Sequence, residues 1–162
     1  MVMQTNRSGV GRAMLAGSLA GTAGTVVMSA VMLGAKGMGL TGKLPPKRLA
    51  EHAIENMSGR PATQDEAHLL AAVTHVGFGA LAGALFGLLT AGFDPARRIG
   101  PAAGLGAVFA SGVWLVSYQG WIPALEVMPR ASRDRPGRVG TMVVAHWVFG
   151  AVLGLLTAVL RR

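Results

Sequence analysis

The chain has 162 residues, of which 51% are hydrophobic and only 14% charged, with 24 glycines, no cysteine and a mean hydropathy of +0.47. That balance excludes an ordinary water-soluble core, where apolar residues recur with a helix or strand period and leave one face polar, and the missing thiols exclude disulfides, iron–sulfur clusters and thiolate metal sites. The formal net charge of +8 does not mark a nucleic-acid binder: Arg7 and Arg12, Arg97 and Arg98, and Arg161 and Arg162 flank apolar blocks, where such side chains snorkel toward lipid headgroups, and no aromatic-laced basic patch offers a groove reader.

A bilayer's hydrocarbon core of about 30 Å takes about 20 apolar residues of helix. Four blocks reach that length, residues 10–34, 69–92, 99–121 and 139–160, and inside them only Arg12, at the edge of the first, carries a full charge. The expected fold class is therefore all-α: a polytopic membrane protein whose four transmembrane helices form two tandem helical hairpins within a single domain, residues 1–162, embedded in the lipid bilayer. Arg7 before an apolar run, with Leu33-Gly34-Ala35 after it, loosely imitates a signal peptide. The run is too long for an h-region, so an uncleaved first span is expected.

The first loop, residues 35–68, carries structure of its own. Pro45 and Pro46 favour the first turn of a short helix over about 46–58, and Gly59 is placed to cap its end. Leu49, Ala50, Ala53, Ile54 and Met57 share one face; Lys47, Glu51 and Glu55 occupy the other, so this amphipathic helix should rest on the membrane surface or cover the mouth of the bundle. Thr63 with Glu66 three residues on is a capping box that should start the second helix before its apolar part. Asp94 and Pro95 read as N-cap and first residue of the third span, and the short connection makes spans two and three antiparallel neighbours. Gly120 and Pro123 should kink or end the third span, with Tyr118 and Trp121 as interfacial anchors. Residues 130–138 read as a polar turn, broken by Pro136-Gly137 before span four.

Laying span two on span four exposes a repeat. The segment from His75 through Phe78, Gly79 and Ala80 to Gly83 matches the segment from His146 through Phe149, Gly150 and Ala151 to Gly154 at five of nine positions. Spans one and three match more loosely, so the halves should be related by a pseudo-twofold along the membrane normal. Counted by side, nine Lys and Arg lie with the two long loops and six with the termini. The six sit tight against helix ends in very short segments, and on that basis the termini are expected in the cytoplasm of a bacterium, the protein being multi-pass in the inner membrane.

Small residues at steps of four recur in every span: Ala13, Gly17, Gly21, Thr25 and Ser29; Gly79, Gly83 and Gly87; Gly100 and Gly104; Gly150, Gly154 and Ala158. In lipid, close backbone approach through such residues is the main device for helix association, so these glycines are expected to pack the bundle. His75 and His146 each lie four residues before a glycine of these rows, so both should face the interior at equal depth, roughly 10 Å into the membrane at about 1.5 Å per residue. Two readings stand. They could ligate one haem b iron axially, with neighbouring glycines making room for the macrocycle. Or each could hold helix register by hydrogen bonding, for instance to Thr74, Ser111, Ser117 or Gln119, with no cofactor at all. Proton handling or a small bound molecule is a further use of the pair.

Catalysis finds no support. There is no Gly-x-Ser-x-Gly elbow, no His-Glu-x-x-His pair and no phosphate-cradling loop followed by lysine; transport is hard to support as well, because the carboxylates Glu126 and Asp94 lie only at span edges. His52 and His68 read as interfacial, and Met28 and Met32 as packing rather than copper ligands.

The arginine-led, glycine-rich first span, Leu44-Pro45-Pro46-Lys47, Thr74-His75 with Phe78, and Ala145-His146 together resemble the YagU-like family of small bacterial inner-membrane proteins, over nearly the full chain. The first loop is much shorter than in that family. The resemblance implies a small multi-span protein and brings no catalytic residues. A non-enzymatic structural or accessory subunit, packing on itself as a homo-oligomer or on a larger membrane complex, is the first expectation for function; a bis-histidine haem protein for electron transfer or sensing is the alternative, and a minimal channel or carrier the third.

Overall fold

The computed structural model describes residues 7–162; the side chain of Arg7, expected to precede the first span, lies outside the described residues. Five helices are present: α1 (Arg7–Gly37), α2 (Pro45–Ser58), α3 (Gln64–Leu89), α4 (Ile99–Ala124) and α5 (Pro136–Leu160). All but α2 are long and apolar enough to cross a bilayer, and no strand occurs among the described residues, so the protein is an all-α polytopic membrane protein.

Two glycine seams organise the bundle. On α1, Ala13, Gly17 and Gly21 face Gly87, Gly83 and Gly79 of α3 so closely that a Cβ on Gly17 or Gly83 would fall on the other's carbonyl oxygen, and a Cβ on Gly79 would meet the Thr25 hydroxyl. On α4, Ala102 and Gly106 face Gly154 and Gly150 of α5 in the same way. Gly79 and Gly83 are the repeat counterparts of Gly150 and Gly154, so each half of the chain uses one seam of matching design. A third contact joins α1 to α5, where a Cβ on Gly24 would lie 3.0 Å from the Phe149 ring and 3.1 Å from the Phe149 carbonyl oxygen.

Gly100 and Gly104 do not take part. No atom lies within 4 Å of a Cβ built on either, and both are exposed. The seam on α4 runs through positions 102, 106 and 110. A helix turns about 100° per residue, so positions 100 and 104, two residues out of phase, lie on the opposite face. The order of helices across the bundle is α3, α1, α5, α4. Thus α3 and α4, expected as packed neighbours, keep their backbones apart despite their short connection, because each is held by its own glycine seam. The same fact breaks the expected pseudo-twofold: α1 packs along α5, whereas the equivalent α4–α3 pair meets chiefly where the Phe86 and Phe109 rings touch, 5.4 Å between centroids.

The termini of the elements follow local chemistry. Thr63 Oγ1 accepts from the Glu66 backbone N–H at 3.3 Å while Glu66 Oε2 accepts from the Thr63 N–H at 3.0 Å, the full capping box. Gly59, at φ 69°, ends α2 in the left-handed conformation that glycine adopts without strain. Asp94 and Pro95 do not begin α4: they form a separate 3₁₀ turn, Asp94–Arg97, and α4 starts at Ile99. Pro101 explains the shift. It is tolerated in a first turn, but had the helix begun at Pro95 its ring would have clashed with the carbonyl four residues back.

Span three departs from regular α-helix around Gly120 and ends at Ala124, one residue past Pro123, as Gly120 and Pro123 were expected to make it do. It passes into a π-helical segment, Leu115–Trp121, and continues to Ala124. Pro123 has no N–H to give the carbonyl four residues before it, and the Ile122 N–H bonds back to Ser117, so the wider turn takes up the missing bond. At the far end of the bundle Arg161 donates to the Thr90 carbonyl at 3.1 Å, the Thr90 hydroxyl at 3.3 Å and the Ala91 carbonyl at 2.8 Å, closing the C-terminus of α3. Partial burial, and then the charge of Arg97, push the Arg161 guanidinium below its ordinary pKa.

Candidate functional site

Because α3 and α4 part on the loop side, a cavity of about 340 Å³ opens between them. Its floor is the loop-side half of α1 and α5, including Met28, Met32 and Phe149, and its walls come from α3 and from the π segment of α4. Helix α2 is the roof: Pro45, Pro46, Leu49, Ala50 and Ala53 face inward. The amphipathic helix therefore covers the bundle mouth. Lys47 fixes it there, its ammonium donating to Gln64 Oε1 and, at 3.1 Å, to His68 Nε2 at the start of α3. On its outer face Lys43 pairs with Glu51 at 3.1 Å. Phe78 and Trp121 line the cavity and are also 46% and 38% exposed, so they mark a rim that opens sideways, where lipid would lie.

Both singled-out histidines, His75 on α3 and His146 on α5, line this one cavity. His75 bonds a neighbouring helix as expected, though through a residue not among those named, whereas His146 bonds within its own helix. His75 Nδ1 lies 3.3 Å from Ser29 Oγ of α1, and His146 Nδ1 lies 2.7 Å from the Met142 carbonyl of its own helix. A carbonyl only accepts, so His146 carries its proton on Nδ1 and presents an Nε2 lone pair. None of Thr74, Ser111, Ser117 and Gln119 is used. The hydroxyls of Thr74, Ser111 and Ser117 bond to carbonyls one turn back on their own helices, Gln119 Oε1 accepts from the Ala131 N–H, and Ser111 also accepts from the Trp147 indole at 3.0 Å.

Tyr118 is not an interfacial anchor. It is 3% exposed, stacked on Trp114, and its hydroxyl donates to Asp134 Oδ2. Asp134 in turn pairs with Arg138 at 2.9 Å, the two side chains being 3% and 6% exposed. What reads in sequence as a solvated turn is thus a buried ion pair behind the cavity wall, tied through the Asp134 Oδ1 acceptor to the Arg135 N–H at 2.7 Å as well. The sequence signal that finds it is the i, i+4 spacing of acid and base across the helix start. Beside the roof, Lys43, Arg48, Glu51, Glu55 and Glu126 surround a separate polar hollow, and among the described residues no group of three or more His, Asp or Glu is arranged to hold a metal ion.

No curated protein and no solved structure matches the chain, whereas the model of a family of unknown function, DUF6789, matches residues 11–162. With nearly all of its length covered, the chain belongs to the DUF6789 family.

Proposed function

We propose that this small membrane protein is a non-enzymatic binding subunit of the bacterial inner membrane, with cytoplasmic termini, that takes an apolar ligand from the bilayer into the cavity roofed by α2. The observation that carries this reading is the sideways opening between α3 and α4 into a largely apolar cavity. Such a site suits a ligand that partitions into lipid and is held by shape, with few polar contacts. The cavity occupies only the loop-side half of the bundle, and the glycine seams close the other half. That blind form favours binding over conduction.

A second reading concerns partners. Gly100, Gly104 and Gly112 line an outer stripe of α4 that no described residue covers. Small outward residues at that spacing let a second helix approach closely, which supports an accessory role in which two copies pack through α4. Native mass spectrometry from lipid nanodiscs tests both readings. The wild type should retain a ligand mass and appear as a dimer. Ala53→Trp, which fills the cavity from the roof, should lose the ligand and remain dimeric; Gly104→Ile should become monomeric and keep the ligand. Ligand-free wild type, or equal ligand in Ala53→Trp, contradicts the binding reading, and a monomeric wild type contradicts the packing one.

Kinship between DUF6789 and the YagU-like proteins is a further proposal, supported by the Leu44-Pro45-Pro46-Lys47 and Ala145-His146 elements. A YagU-like structure lacking the helix order α3, α1, α5, α4 would refute it.

A further inference from the structure

No lysine, arginine, aspartate or glutamate lines the cavity between α3 and α4. A charged headgroup drawn into it would lose its water and meet no counter-charge, so the part of a ligand that enters must be uncharged. The hydroxyls along its walls are already spent as donors. Thr25, Thr74 and Ser117 donate to carbonyls of their own helices at 2.8, 2.6 and 2.7 Å, and Tyr118 donates to Asp134.

One acceptor stands apart from these. His146 gives its Nδ1 proton back to the Met142 carbonyl of its own helix at 2.7 Å, so the Nε2 lone pair sits at the distal edge of the ring and points away from the α5 backbone. No described residue donates to it. An acceptor in apolar surroundings without a donor is costly, and a ligand that brings the donor removes that cost. Position gives the contact a direction. His146 belongs to α5, on the floor, whereas the opening toward lipid lies between α3 and α4, where Phe78 and Trp121 form the rim. Pro45, Pro46, Leu49, Ala50 and Ala53 of the roof close the cavity from above. A ligand that reaches His146 therefore enters polar end first and leaves its hydrocarbon trailing toward the bilayer.

We propose that the ligand of this cavity is an uncharged hydroxyl-bearing lipid, a long-chain alcohol or phenol, whose O–H donates to His146 Nε2. This assignment rests on the binding reading above and fixes its ligand class. A hydroxyl accepts as well as donates, so it is compatible with either tautomer of His75, whose Nδ1 is engaged with Ser29 Oγ at 3.3 Å.

The test adds two pairs of probes to the purified protein in nanodiscs: hexadecanol with its methyl ether, and hexadecylphenol with its methyl ether. Members of a pair share one hydrocarbon body and differ in the donor. By native mass spectrometry the wild type should hold at least one hydroxyl compound roughly tenfold more tightly than its ether, the worth of one hydrogen bond. The better held of the two names the source. His146→Phe should hold hydroxyl compound and ether equally. Nitrogen NMR of histidine-labelled protein reads the same contact without a substitution: the His146 Nε2 resonance should move on adding the hydroxyl compound and stay in place on adding the ether. Hexadecyl phosphate, with the same chain and a charged head, should not be retained. Equal retention of hydroxyl compounds and ethers by the wild type, a preference that survives in His146→Phe, an unmoved Nε2 resonance, or phosphate held as tightly as the alcohol overturns the proposal. If ethers are held as well as hydroxyl compounds and all are lost in Ala53→Trp, the hydroxyl assignment falls and the binding reading stands; if the wild type holds none of the probes and no lipid-derived mass, the binding reading falls with it.

Discussion

Gly83→Leu is expected to abolish docking of α3 on α1 and with it the folded bundle. A Cβ at position 83 already falls on the Gly17 carbonyl oxygen and lies 2.9 Å from the Gly21 Cα, and backbone cannot rotate away as a side chain can. Gly83→Ala must therefore push the helices apart, at a cost of about 1–3 kcal/mol, the usual range for overpacking. The leucine adds three more heavy atoms on the same axis and has no alternative space. Gly77→Ala is the control on the same helix: nothing lies within 4 Å of its Cβ position, so the change should be neutral or stabilise by up to about 1 kcal/mol through helix propensity. Thermal unfolding in mild detergent, read by circular dichroism, should rank the variants Gly77→Ala, Gly83→Ala, Gly83→Leu from most to least stable. Equal stability of all three would mean that close approach along this seam does not hold the helices together.

Asp134→Ala should destabilise the bundle by about 3–5 kcal/mol, because it leaves the Arg138 guanidinium buried without its counter-charge. Arg138 is 5% exposed, and its Nε already lacks a partner, so the two bonds to Asp134 at 2.9 and 3.2 Å are what satisfy the charge. Removing both charges is a different matter. Asp134→Leu with Arg138→Met replaces the pair by apolar groups of similar reach and should recover most of the loss, since buried pairs seldom outperform good apolar packing. Tyr118→Phe deletes one bond to the charged carboxylate and should cost about 1.5–3 kcal/mol. The same unfolding measurement decides. A double variant as unstable as Asp134→Ala alone would show that the segment matters for some reason other than its buried charge.

The four crossings were legible because uncharged length is a one-dimensional property: residues 10–34, 69–92, 99–121 and 139–160 all fall within or nearly within helices, and the capping box at Thr63 and the left-handed cap at Gly59 are written in consecutive residues. Lateral order was not legible. Which face of α4 meets α5 depends on a two-residue phase, and Gly106 with Ala102 made the closer fit than Gly100 with Gly104. Short connections favoured an α3–α4 pair, but glycine seams outweighed chain proximity. The start of α4 was misplaced because Pro101 overrules the Asp94-Pro95 signal, and a π segment has no residue pattern distinct from a proline kink.

At the site, the facing of His75 and His146 followed from their spacing to Gly79 and Gly150, whereas their hydrogen-bond partners did not, since Ser29 and the Met142 carbonyl are supplied by tertiary placement and by a backbone atom. The roof over the cavity was half visible in the amphipathic face of α2. The Tyr118, Asp134 and Arg138 cluster was hidden by composition, because charged residues beside Pro136-Gly137 look solvated until their burial is known.

Cysteine labelling tests the membrane arrangement most directly, and the chain offers a background with no native thiol. Ser58→Cys, Ser132→Cys and Phe93→Cys place single thiols at exposed positions in the first, third and second connections. With a membrane-impermeant maleimide applied to intact spheroplasts, Ser58→Cys and Ser132→Cys should react, and Phe93→Cys should react only in inverted vesicles. Labelling of all three from one side, or of Ser58→Cys and Ser132→Cys from opposite sides, would contradict a four-crossing bundle with its roofed cavity on a single face.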